Sequence, residues 1–159
     1  MTCSTKLWAP VRSPGHLLLA SLLLLALAGC ATPLAKEAVA TKDAPAAIGP
    51  YSQGVRVGNL LFLSGQIAID PKTNQMSTGS IEDQTAMALE NLKAVAAASG
   101  MTMTDIVSTT VYLKDVNDFG KMNGVYANYF KEKPPARATI QAARLPRDAL
   151  VEISAVAVK

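Results

Sequence analysis

The stretch from Pro135 to Ile153 constrains this chain more than any other. It reads as two strands joined at Leu145-Pro146-Arg147-Asp148, because proline fixes φ there and aspartate can bond the backbone two residues on. An antiparallel return about that turn predicts that the neighbourhoods of Arg137 and Glu152 meet. A guanidinium fork then faces a carboxylate, both carried on rigid elements. The fork matches a ligand carboxylate in geometry, and Glu152 is the kind of group that orients or activates a water. A plain Arg–Glu ion pair across a hairpin fits the same pattern, and this stretch alone leaves both readings open.

The other end of the chain addresses location. Lys6 and Arg12 form a positive region, and Leu17 to Leu27 is an apolar run too short to span a bilayer comfortably. Residues 1–29 are therefore expected to be a signal peptide. The run ends in Leu27-Ala28-Gly29-Cys30, which resembles a bacterial lipobox. That resemblance implies lipidation of Cys30 and attachment to a membrane, with an ordinary signal peptide and an incidental cysteine as the alternative. The expected location is the bacterial cell envelope, as a periplasm-facing lipoprotein. Ala31 follows the cysteine, and by analogy with lipoprotein sorting the lack of aspartate there points to the outer membrane. Residues 30–43 are small, polar or of alternating charge. They are expected to form a flexible tether, which as a coil reaches on the order of 20 Å. Residues 44–159 are expected to be the domain.

Removal of the signal decides which chemistry is available. The chain has one histidine and two cysteines. His16 and Cys3 leave with the signal, and Cys30 would be acylated. The mature domain then has no histidine base, no thiol nucleophile, no disulfide and no His/Cys metal site. Serine–histidine–aspartate chemistry is excluded as well. Lys6 and Arg12 are 2 of the 15 basic residues, and the 12 acidic residues all remain. A net charge of about +1 argues against a nucleic-acid partner, which usually demands a strong basic excess.

Between the two ends the chain alternates strands and helices. Ala44 to Gly54 is irregular, with two prolines and two glycines. Val55 to Gln66 reads as a hairpin about Gly58-Asn59. Its second strand is apolar and therefore central, and Ser64-Gly65 ends it, where glycine permits close approach of a ligand. Ser80 to Ser99 reads as a helix, started by Ser80 with Asp83 and stopped by Gly100. Ile81, Ala88, Leu92, Val95 and Ala96 form its core stripe, with Asn91 expected on the exposed face. Ile106 to Leu113 is a strand whose alternation Thr109 interrupts. A second helix, capped by Asn117, runs to about Phe130, with Phe119, Met122, Tyr126, Tyr129 and Phe130 as its packing face. The order strand-strand-helix-strand-helix-strand-strand predicts an α+β sandwich with both helices on one face of a mixed sheet. The strands flanking the first helix are expected to be parallel neighbours.

Several blocks carry a family resemblance. Pro135-Ala136-Arg137, a short strand, Leu145-Pro146 and Val151-Glu152-Ile153 resemble the signature of the Rid (RidA/YjgF type) family of reactive-intermediate deaminases. Ala44 to Gly54 and Ser64-Gly65 resemble its other blocks, and the likeness covers about Ala44 to Val158. It implies a chorismate-mutase-like fold, a homotrimer with ligand sites between subunits, and hydrolysis of 2-aminoacrylate or 2-iminopropanoate to a 2-keto acid and ammonia. It also implies roles. Arg137 would clamp the substrate carboxylate and Glu152 would direct the water. Tyr51, Ser64, Gly65 and Thr139 would line the site, Thr139 standing where many members carry cysteine. Imines already hydrolyse in water, so orientation and modest charge stabilisation suffice and no cofactor or metal is required. The alternative is a non-catalytic envelope lipoprotein that binds small carboxylates.

Overall fold

The computed structural model describes residues 34–159. The expected signal peptide, Cys30 and the first residues of the expected tether lie outside them. Six strands form one mixed sheet: β1 (Lys36–Val39), β2 (Gly54–Val57), β3 (Leu60–Gln66), β4 (Ile106–Leu113), β5 (Ala136–Gln141) and β6 (Val151–Val158). Their spatial order is β1-β2-β3-β6-β4-β5. Two helices, α1 (Ile81–Ala98) and α2 (Phe119–Tyr129), pack on one face of it. No helix among the described residues is long and apolar enough to cross a membrane.

Local chemistry explains these elements. Gly58 takes a positive φ of 60° in the two-residue turn between β2 and β3, a conformation that favours glycine. Ser80 and Asp83 close the reciprocal capping box of α1, and Gly100 ends it at φ 71°. The interior lies between sheet and helices. Leu61, Leu63, Val111, Leu113, Val151 and Ile153 from the sheet meet Leu89, Leu92, Val95, Met122 and Tyr126 from the helices.

Several expectations are corrected. The region expected to be a free tether contains β1, whose register pairs Lys36 with Val57 and Val39 with Gly54. β3 and β4 are parallel but not neighbours, because β6 inserts between them and pairs antiparallel with both. The strands flanking the second helix, β4 and β5, are the parallel neighbours. Asn117 does not cap α2; it sits in a 3-10 turn capped by Asp115. Asn91 is not on the exposed face. It is 2 % exposed, and its side-chain amide donates to Ile67 O at 3.1 Å and Ile69 O at 2.9 Å. Thr109 does not break the core face of β4 but belongs to it, because a bulge between Ile106 and Ser108 turns Val107 outward.

Candidate active site

The cleft begins at a second bulge. Between Leu63 and Gln66, β3 carries one residue more than its partner β6. The extra residue falls at Ser64-Gly65 and lifts the backbone out of the ladder. Glu152, on the outer face of β6, lays its carboxylate over Gly65. A Cβ at Gly65 would stand 2.8 Å from the carboxyl carbon, so glycine is required by space and not by φ. No described residue donates a hydrogen bond to this carboxylate. Half-burial without such a donor raises its pKa above 4.5.

The irregular segment before β2 forms the facing wall. Gln53, buried among backbone groups, is its organiser. Its side-chain nitrogen donates to the carbonyls of Thr41, Ala44 and Pro45, and its oxygen accepts from Thr41 N at 2.6 Å. Ser64 Oγ donates to Ser52 O at 2.7 Å and Ser64 N to Gln53 O at 3.0 Å, tying this wall to the bulge. The Ser64 hydroxyl thus already has a backbone partner. Tyr51 remains 48 % exposed at the rim, its backbone N–H donating to Gly49 O at 2.8 Å and its hydroxyl accepting a long 3.4 Å bond from Ile48 N. The result is a cleft of about 350 Å³ lined by Tyr51, Ser64, Gly65 and Glu152, with Ile67, Ile69 and Pro146 at its apolar end.

Arg137 lies elsewhere. The sheet places β4 between β5 and β6, so the two C-terminal strands run antiparallel without being paired. Two strand spacings, about 10 Å, separate them. Arg137 is in register with Thr109 on the helix-facing side, whereas Glu152 is in register with Tyr112 on the outer side. The two therefore point to opposite faces, and the expected hairpin contact does not form within one chain. Thr139 shares the face of Arg137, and its hydroxyl is enclosed without a partner among the described residues. Arg137 itself makes no ion pair with any described residue. Its guanidinium rests 4.5 Å from the ring centre of Tyr126 and 5.6 Å from that of Phe119.

Sequence reasoning missed Gln53 and the apolar end of the cleft, since a glutamine in an irregular segment gives no periodic signal. It placed Tyr126 in the packing face of α2 without seeing that the same ring carries Arg137.

Comparisons with known proteins bear on this geometry. The family model described as Endoribonuclease L-PSP matches residues 41–159. A RutC family protein of Pyrococcus horikoshii is 54 % identical over 124 residues, covering 78 % of this chain and 98 % of the relative. The 2-iminobutanoate/2-iminopropanoate deaminase of Salmonella typhimurium is 46 % identical, covering 77 % of this chain and 98 % of that enzyme. Among solved structures, Escherichia coli TdcF with bound serine superposes with a TM-score of 0.75 at 42 % identity, covering 77 % of this chain and 98 % of the other.

Proposed function

The chain belongs to the endoribonuclease L-PSP (Rid/YjgF) family, and from that premise we propose that it hydrolyses small 2-imino and enamine acids to 2-keto acids and ammonia. Glu152 carries the reading. It is a half-buried carboxylate with a raised pKa, open to a cleft and free of any neutralising partner among the described residues. Ionised, it takes a proton from water as the oxygen adds to the imine carbon. The Glu152 acid so formed gives that proton to the nitrogen, and the carboxylate then takes the hydroxyl proton as the C–N bond breaks and the C=O bond forms, so ammonia and the keto acid leave with Glu152 ionised again. The Gly65 amide and Tyr51 bound the cleft around the substrate. The name of the Salmonella relative and the serine bound to TdcF support a ligand of this size and class.

The substrate carboxylate needs a cation, and Arg137 cannot supply it to the Glu152 of its own chain. A second copy, setting its β5 edge against the outer sheet face, brings the fork to the cleft. A bidentate fork is worth about 1.5–3 kcal/mol. The acceptor face for that copy is apolar and open: Phe62 is 47 % exposed and Ile140 49 %. The active unit is accordingly a homo-oligomer, a trimer in this reading, with its sites between subunits. Thr139 lines the Arg137 side of each. In the same reading the chain is an envelope lipoprotein anchored at Cys30. Residues 31–35 then separate the lipid from β1, reaching at most about 18 Å. Loss of lipid labelling in Cys30→Ser tests the anchor.

Activity is tested on the domain lacking residues 1–30, by following keto-acid release from freshly generated 2-iminopropanoate against the uncatalysed rate. Acceleration that disappears in Arg137→Ala and Glu152→Gln supports the deaminase. An assembled wild type that binds 2-oxobutanoate without accelerating hydrolysis assigns a carboxylate-binding lipoprotein instead.

A further inference from the structure

We propose that Tyr126 is the positioning residue of the Arg137 clamp, acting through the face of its ring; this rests on the carboxylate-binding role given to Arg137 above. Three side chains form a closed triangle. Thr109 on β4 and Arg137 on β5 are register partners. Tyr126 on α2 reaches both: its hydroxyl and the Thr109 hydroxyl are 2.8 Å apart in a buried hydrogen bond, and its ring lies beneath the guanidinium. The ring is itself fixed. Tyr126 is 5 % exposed, Thr109 is 2 % exposed, and Phe130 packs against Tyr126 with ring centres 4.5 Å apart. Phe119 adds a second, looser ring beside the cation.

This arrangement solves a problem peculiar to an arginine that must receive a carboxylate. A salt bridge to an aspartate or glutamate would hold the side chain still, but it would occupy the donor edge that the ligand needs. Stacking holds the guanidinium by its face and leaves the in-plane N–H donors free. Arg137 is an exposed side chain with no carboxylate partner among the described residues, as the device requires. Thr109 keeps the platform from rotating, which explains why β4 spends a core position on a hydroxyl.

The test uses the assembled domain, with 2-oxobutanoate binding followed by calorimetry and kcat and KM measured on 2-iminopropanoate. Tyr126→Leu keeps apolar bulk but removes the ring; we expect affinity for the keto acid to fall roughly fivefold or more, with KM rising and kcat holding within about twofold. Tyr126→Phe keeps the face and rescues the affinity. Phe119→Leu, at a half-exposed position that folding tolerates, weakens binding about twofold, and this variant carries the test if Tyr126→Leu does not fold. Wild-type affinity in folded Tyr126→Leu or in Phe119→Leu overturns the proposal. So does a Tyr126→Phe protein as weak as Tyr126→Leu, since the hydroxyl and not the ring would then matter. Wild-type affinity in Arg137→Ala overturns the clamp itself, an outcome distinct from the other two.

Discussion

A methyl group at residue 65 would collide with the carboxyl group of Glu152. Gly65→Ala is therefore expected to displace that carboxylate and lower kcat at least tenfold, about 1.4 kcal/mol of barrier, while the melting temperature changes little. Steady-state kinetics with a thermal melt checks it. Glu152 also makes a pH prediction whose sign follows from burial. Its pKa is raised in the folded protein, so the folded state favours the protonated acid. Its stabilising effect is full below the unfolded carboxylate value and is lost as pH rises through the folded one. Glu152→Gln should melt close to wild type near pH 4 and above it at neutral pH, while activity is lost. Hydrolysis by wild type should show an acid limb above 4.5. The importance of Gly65 and Glu152 was legible as residues in a pattern, but their contact was not: the bulge that produces it depends on β6, which arrives some 85 residues after Gly65.

At the scale of elements, the readable features were those whose partners lie close by in the chain. The capping box of α1 and the turn at Gly58 are of that kind. The insertion of β6 between β3 and β4 is not, because an apolar strand announces burial and not its neighbours. For the same reason Arg137 and Glu152 were expected to face each other: the turn at Leu145-Pro146-Arg147-Asp148 reverses the chain, but the reversal crosses over β4. Lys36–Val39 gave no periodic signal, being short and mostly exposed, and only its pairing with β2 makes it a strand. Asn91 looked like surface because it is polar, yet it ties α1 to the segment after β3. Asn91→Ala leaves the carbonyls of Ile67 and Ile69 without their donor and should destabilise by about 2 kcal/mol, read from the denaturant midpoint. Because Ile67 and Ile69 line the cleft, KM should rise with it.

The whole molecule presents two different sides. The helices cover one sheet face, and the other keeps Phe62 and Ile140 open. Phe62→Glu should leave the subunit folded, because the side chain is not in its core, yet yield monomers by sedimentation and abolish turnover. The same two-sidedness bears on inheritance. Arg137 and Glu152 point away from each other in the subunit, so in the proposed oligomer a working site would borrow one of them from each of two chains. A cell carrying one allele with Arg137→Ala and another with Glu152→Gln therefore makes two products that are each dead alone. Mixed assemblies still join an intact fork to an intact carboxylate at some interfaces, and with random mixing activity returns to roughly a quarter of normal. Two recessive lesions in one gene would complement each other, as lesions in separate genes do.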